Sequence, residues 1–150
     1  MIRKEQQGVH WLEFELLNDV PKLKHAILLR HGGFSQGSFS SLNVSKSMGD
    51  ITEAVESNRL KIQKVFQLPS LCIPKQIHSS DILQIDTLST RSQLVGDGLV
   101  TAAPCIPLMV THADCQVALF YDPVQHVAAA VHCGWRGQVQ NIYKNTIEKL

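Results

Sequence analysis

The chain is predicted to fold as an α+β protein, with mixed and antiparallel β-sheets packed sandwich-like and flanked by helices. Short β-prone apolar runs recur along it, only two segments carry helical periodicity, and no internal repeat or low-complexity tract interrupts them. With 150 residues it is long enough for one domain spanning 1–150 with its own core. Charge is nearly balanced, 14 Lys and Arg against 13 Asp and Glu, and the basic residues form no cluster. That argues against nucleic acid as a partner. No apolar run approaches the ~20 residues needed to cross a bilayer, and MIRKEQQGVHW lacks the apolar centre of a signal peptide. A soluble, cytoplasmic protein with no membrane contact is expected. Cys72, Cys105, Cys115 and Cys133 form no CxxC pair, so neither a zinc ribbon nor a disulfide framework is expected and the thiols are read as reduced.

Taken in order, VHWLEFELL at 9–17 alternates Leu12, Phe14 and Leu16 with Glu13 and Glu15, the pattern of a half-buried strand. AILL at 26–29 is a second strand, leading into a Gly- and Ser-rich loop from Arg30 to Asn43. Such a loop lets backbone approach a ligand, and its N–H groups can form an anion-binding nest, although a plain surface loop has the same composition. Residues 50–67 form the strongest helix pattern. Asp50 is placed as N-cap, Glu53 completes a capping box, and Ile51, Ala54, Val55, Ile62, Val65 and Phe66 form the apolar stripe. Asn58 and Arg59, in mid-helix, read as part of a solvated face. CIPKQI then leads to His78, a strand follows at 82–85, and 89–93 is rich in turn formers. In LVGDGLVT at 94–101, Asp97 sits between two glycines, which marks a tight turn or bulge between β runs. LMVT at 108–111 is a strand entering the central stretch.

That stretch runs from Thr111 to Gly137. QVALFY and HVAAAV flank Asp122-Pro123-Val124-Gln125, where Asp and Pro suit the first two positions of a type I turn, so a hairpin is predicted. Symmetry about the Pro123–Val124 bond sets Tyr121 opposite His126, Leu119 opposite Ala128, and Cys115 opposite His132. Opposed residues have Cβ atoms about 4.5–5.5 Å apart. A slip of one residue would separate thiol and imidazole onto opposite faces. Beyond the hairpin, QVQNIYKNTIEKL places Val139, Ile142, Tyr143, Ile147 and Leu150 on one helical face. The N–H groups at that helix start, with Arg136, would make an anion-friendly rim. The helix pattern still runs at Leu150, so the chain is expected to be the front part of a longer design.

Cys115 then has three readings: a thiolate metal ligand, a metal-free nucleophile activated by His132, or an inert buried thiol. A catalytic zinc ordinarily takes three protein ligands and keeps one open position. His78, His31, His112 and Asp114 are candidates for the third, His112 and Asp114 being out of phase with Cys115. His10, His25 and His126 are read as hydrogen-bonded structural residues.

RHGGFSxGxxxSLNVS, the GD before the long helix, NR within it, KQIHSSD, GDGLVT, ADC and HCGWRG together resemble the multicopper polyphenol oxidase, or laccase-domain, family that includes YfiH and YlmD. The resemblance implies a single metal site, zinc or alternatively copper, held by His78, Cys115 and His132, which also act in catalysis. It implies phosphorolysis of adenosine, inosine, guanosine and methylthioadenosine, and deamination of adenosine to inosine, with purine nucleosides and phosphate as partners. Arg30, Ser35, Asn43, Arg59, Gln76 and Arg136 are the motif residues assigned to phosphate or ribose. Copper phenol oxidation, or metal binding without turnover, are the alternatives. Cys133 stands where the family usually has Ala, and alternation should turn it away from the metal. His112 stands where Thr is common. Family members ordinarily continue through a further segment that completes the pocket, so this chain is read as lacking the C-terminal portion.

Overall fold

The computed structural model describes residues 1–88 and 94–150; the turn-rich segment expected at 89–93 lies outside them. Its residues group into two compact units, Met1–Pro69 and Ser70–Leu150. Among the described residues, antiparallel and mixed sheets with four helices give the α+β class expected.

In the first unit, β1 (Ile2–Gln6), β2 (Val9–Glu13) and β3 (Ile27–Leu28) form an antiparallel sheet in that order. Gln7 and Gly8 both take positive φ, 54° and 81°, the conformation a two-residue hairpin loop needs. No apolar alternation marks β1, because every residue in IRKEQ is exposed. The strand expected over 9–17 stops at Glu13. Phe14 donates its N–H to His25 Nε2 (2.7 Å) instead of to a neighbouring strand, and Glu15–Asn18 coil into α1, leaving Leu16 86% exposed.

The long helix, α2, spans Thr52–Phe66 rather than starting at Asp50. Its N-cap position is Ile51, with no side-chain cap, because the Asp50 carboxylate is engaged by the preceding loop. It accepts from Ile51 N–H (2.8 Å) and Asn43 Nδ2 (2.9 Å), and the Ser35 and Asn43 hydrogen bonds hold its pKa below the usual value. Ile51, expected in the stripe, is exposed; the buried stripe is Val55, Asn58, Ile62 and Val65. Asn58 therefore belongs to no solvated face. Its amide donates to Ser35 Oγ (2.9 Å), Ser41 O (3.2 Å) and Asn43 O (2.7 Å) and accepts from Phe34 N–H (2.7 Å), so one side chain gathers the Gly/Ser loop. Gln67 closes the helix in the left-handed region, with Leu68 N–H returning to Gln63 O (2.8 Å).

The second unit is built on a four-stranded sheet, ordered β4 (Ile82–Gln84), β5 (Gly98–Thr101), β7 (Val127–Cys133), β6 (Gln116–Asp122). β4 runs parallel to β5; the other pairs are antiparallel. Odd-numbered residues of β7, Val127, Ala129, Val131 and Cys133, pack with Ile82, Val100 and Ile142 in one core cluster, while Leu99 packs with Cys72 and Ile85 in another. The expected strand at 108–111 reduces to a single bridge, Leu108 to Cys72. The C-terminal helix divides into α3 (Trp135–Val139) and α4 (Ile142–Ile147), because Asn141 adopts φ 59° between them. The break dissolves the expected single face. Ile142 is fully buried, whereas Val139 and Ile147 are 73% and 61% exposed. Among the described residues no helix is long and apolar enough to cross a membrane.

Candidate metal centre

The hairpin forms, but two residues out of the expected register. Its loop takes in His126, at φ 56°, so that Asp122 pairs with Val127, Tyr121 with Ala128, and Val117 with His132. Asp122 still directs the turn, its Oδ1 accepting from Val124 N–H (2.7 Å) and Gln125 N–H (3.1 Å). Cys115, just before β6, is therefore diagonal to His132 rather than opposite it. A shift of two preserves the face, because side chains alternate with period two. Cys133, one residue on, turns into the core as expected.

The second register matters as much. Gly98 pairs with Val131 across β5 and β7, which brings Asp97 beside His132. His132 donates its backbone N–H to Asp97 O (2.7 Å) and its Nδ1 to Asp97 Oδ1 (2.8 Å). The same carboxylate receives the N–H groups of Ile77 (3.0 Å), His78 (3.0 Å) and Ser79 (2.8 Å), which holds His78 in a left-handed conformation, φ 60°. Asp97 has no exposed surface. Burial alone would push its carboxyl up, but the hydrogen bonds from His132, Ser79, Ile77 and His78 prevail and hold it at about 2. Nothing in composition marked Asp97 beyond its place between two glycines; only the strand pairing reveals it.

The donor atoms of His78, Cys115 and His132 all lie within 4.8 Å of one another, with Cys115 Sγ 4.0 Å from His78 Nε2. A tetrahedral ion with bonds of roughly 2.0–2.3 Å separates sulfur and nitrogen ligands by about 3.6 Å, so the set fits a metal with only small side-chain rotations. Gly134 makes the room. A Cβ there would stand 2.6 Å from His78 Cδ2 and 3.5 Å from Cys115 Sγ. His132 is 4% exposed while His78 is exposed and Cys115 half-buried, so the centre opens to solvent on one side. Two imidazoles and a cysteine sulfur are donors that would suit zinc or copper, and a set of three would leave one coordination position open.

His31, His112 and Asp114, the other candidates for third ligand, fall outside this group. Gln76 lies two residues before His78 and clamps the Cys115 segment. Its Oε1 accepts from Thr111 N–H (2.7 Å) and Oγ1 (3.0 Å), and its Nε2 donates to Thr111 O (2.8 Å). Arg136 is exposed and lies over the Trp135 ring, 5.3 Å from its centroid. The expected helix-terminus rim shrinks to Arg136, because α3 is five residues long and carries little macrodipole. Arg30, Ser35, Asn43 and Arg59 belong to the first unit. Arg30 Nε donates to Ser40 O (2.7 Å), and Arg59 donates through Nε (2.8 Å) and Nη2 (2.6 Å) to Val44 O. The expected nest is not free to take an anion: Gly33, Phe34 and Ser35 N–H groups donate to Ser41 Oγ, Asn58 Oδ1 and Ser41 O.

Residues 24–150 match the family described as multi-copper polyphenol oxidoreductase laccase. A purine nucleoside phosphorylase of Bacteroides thetaiotaomicron is 36% identical over 149 residues, covering 93% of this chain and 55% of its own length. One from Corynebacterium glutamicum is 36% identical over 125 residues, 81% of this chain and 51% of that protein. YlmD of Geobacillus stearothermophilus superposes with a TM-score of 0.85 at 26% identity, over 96% of this chain and 56% of that one. YfiH of Bacillus licheniformis gives 0.84 at 25%, over 97% and 57%. The chain thus spans about half the length of the relatives it matches.

Proposed function

The chain belongs to the multi-copper polyphenol oxidoreductase laccase family, and from that membership we propose that it is a metal-dependent purine nucleoside phosphorylase. The proposed substrates are adenosine, inosine, guanosine and methylthioadenosine with phosphate, and adenosine is also deaminated to inosine. The observation that carries the reading is the convergence of His78, Cys115 and His132 around a position with one open side. Two relatives sharing 36% of their aligned residues with this chain are named purine nucleoside phosphorylases.

Zinc is the proposed metal and copper the alternative. Bound there, it would supply Lewis acidity to an oxygen of phosphate, water or nucleoside. The protein's own part is to hold two neutral imidazoles and a thiolate in place and to offer Arg136 as a cation for phosphate. Arg30 and Arg59 are proposed for phosphate or ribose on the motif resemblance. Ser35, Asn43 and Gln76 commit polar atoms to the protein's own backbone and side chains, which supports a loop-shaping part in substrate recognition. Phenol oxidation of the multicopper type needs several coppers and many histidines. Among the described residues one group of three such ligands converges, which favours the nucleoside reading.

The test is to incubate the metal-loaded protein with adenosine. With phosphate, adenine and ribose 1-phosphate are expected; without it, inosine and ammonia. Absence of both products at full metal occupancy overturns the proposal, and oxygen uptake with phenols in their place would establish the copper alternative.

A further inference from the structure

Resting on the metal reading, one charged residue outside the ligand set calls for a function. The Asp97 carboxylate is fully buried and accepts five hydrogen bonds. His132 Nδ1 (2.8 Å) and His78 N–H (3.0 Å) reach Oδ1, while Ile77 N–H (3.0 Å), Ser79 N–H (2.8 Å) and Ser79 Oγ (3.2 Å) reach Oδ2. We infer that Asp97 is the positioning residue of the centre: it fixes His132 as the Nδ1–H tautomer, leaving the Nε2 lone pair for a metal, and pins the turn that aims His78 at the same point.

A carboxylate dictates where the proton sits on a ring that faces it. Ionised, it only accepts, so the ring nitrogen facing it must carry the proton and the other must be the base. The backbone carbonyl of the same residue accepts His132 N–H (2.7 Å), so ring and main chain of the buried ligand are held by one residue. The three consecutive N–H groups of 77–79 converge on its two oxygens, a backbone arrangement that depends on His78 remaining at φ 60°. Two ligands 54 positions apart in sequence, His78 and His132, thereby share one anchor. An amide cannot replace it. Whichever way the side chain of an Asp97→Asn variant were turned, its NH₂ would face either the N–H groups of Ile77 and Ser79 or the proton on His132 Nδ1. In the second case the ring would have to move its proton to Nε2 and lose the ligand lone pair.

The test has two arms. In metal-free wild-type protein labelled with ¹⁵N-histidine, read at a pH high enough that the ring carries a single proton, His132 is expected as the Nδ1–H tautomer; finding Nε2–H overturns the inference. In D97N, cobalt(II) affinity is expected to fall roughly 10- to 100-fold, with a changed ligand-field spectrum. Wild-type affinity and spectrum in a folded D97N also overturn it. If D97N does not fold, the tautomer measurement decides alone. A wild-type protein that takes up neither cobalt nor zinc sinks the metal reading instead, and is told apart because the tautomer is measured without metal.

Discussion

Single atoms decide whether the three donors can meet. Gly134 faces Cys115 across the hairpin end, and a Cβ there would lie 2.6 Å from His78 Cδ2. Since its φ is −73°, alanine suits the backbone and only the space is wrong. Gly134→Ala is expected to keep the fold by circular dichroism while bound zinc falls well below one per chain in elemental analysis. Cys115→Ala removes the thiolate without crowding, so metal content and any turnover should vanish together while the thermal midpoint of the metal-free protein stays within about 2 °C. Asn58→Ala has the opposite signature. It leaves Phe34 N–H and Asn43 O without the Asn58 amide and Ser41 O with Ser35 N–H alone, an expected loss of about 2–4 kcal/mol in urea unfolding, with His78, Cys115 and His132 themselves untouched.

At the scale of elements, turns and registers override periodicity. The left-handed residue that ends α2 is Gln67, φ 54° and ψ 45°. For a residue with a Cβ that conformation costs about 1 kcal/mol more than it does for glycine. Gln67→Gly is therefore expected to stabilise the protein by about 0.5–1 kcal/mol, read as a raised urea midpoint at unchanged slope. The β6–β7 hairpin shows why a face is more secure than a partner. Loop length moved every pair by two positions, yet Cys115 and His132 stayed on one side, since only odd shifts exchange faces. The C-terminal pattern failed for a related reason: its apolar spacing was helical, but Asn141 in the left-handed region restarts the helix with a new phase.

For the molecule as a whole, buried charge links stability to pH. Asp97 is held at about 2 against an ordinary 3.8. Its folded pKa is depressed, so its contribution is complete above pH 4 and is lost as pH falls towards 2, about 2 kcal/mol in all. Metal-free wild type should lose that much between pH 4 and 2 in chemical unfolding. D97N, already weakened, should show a flatter acid limb; an equally steep one would place the titrating group elsewhere.

The fold class, the long helix, the hairpin with its turn, and the motif resemblance that implies His78, Cys115 and His132 as ligands are all written in the order of the residues. These are legible because alternation, helical spacing and Asp-Pro turn chemistry act over a few neighbouring residues. Tertiary structure alone decided the partners. It set Asp97 beside His132, drew Asp50 from the helix cap into the loop, buried Asn58 beneath that loop, and gave Gln76 to Thr111. Each of these is a hydrogen bond between polar groups seven to 35 residues apart, satisfied because a polar atom removed from water without a partner is costly. No local pattern records which distant group will meet that need.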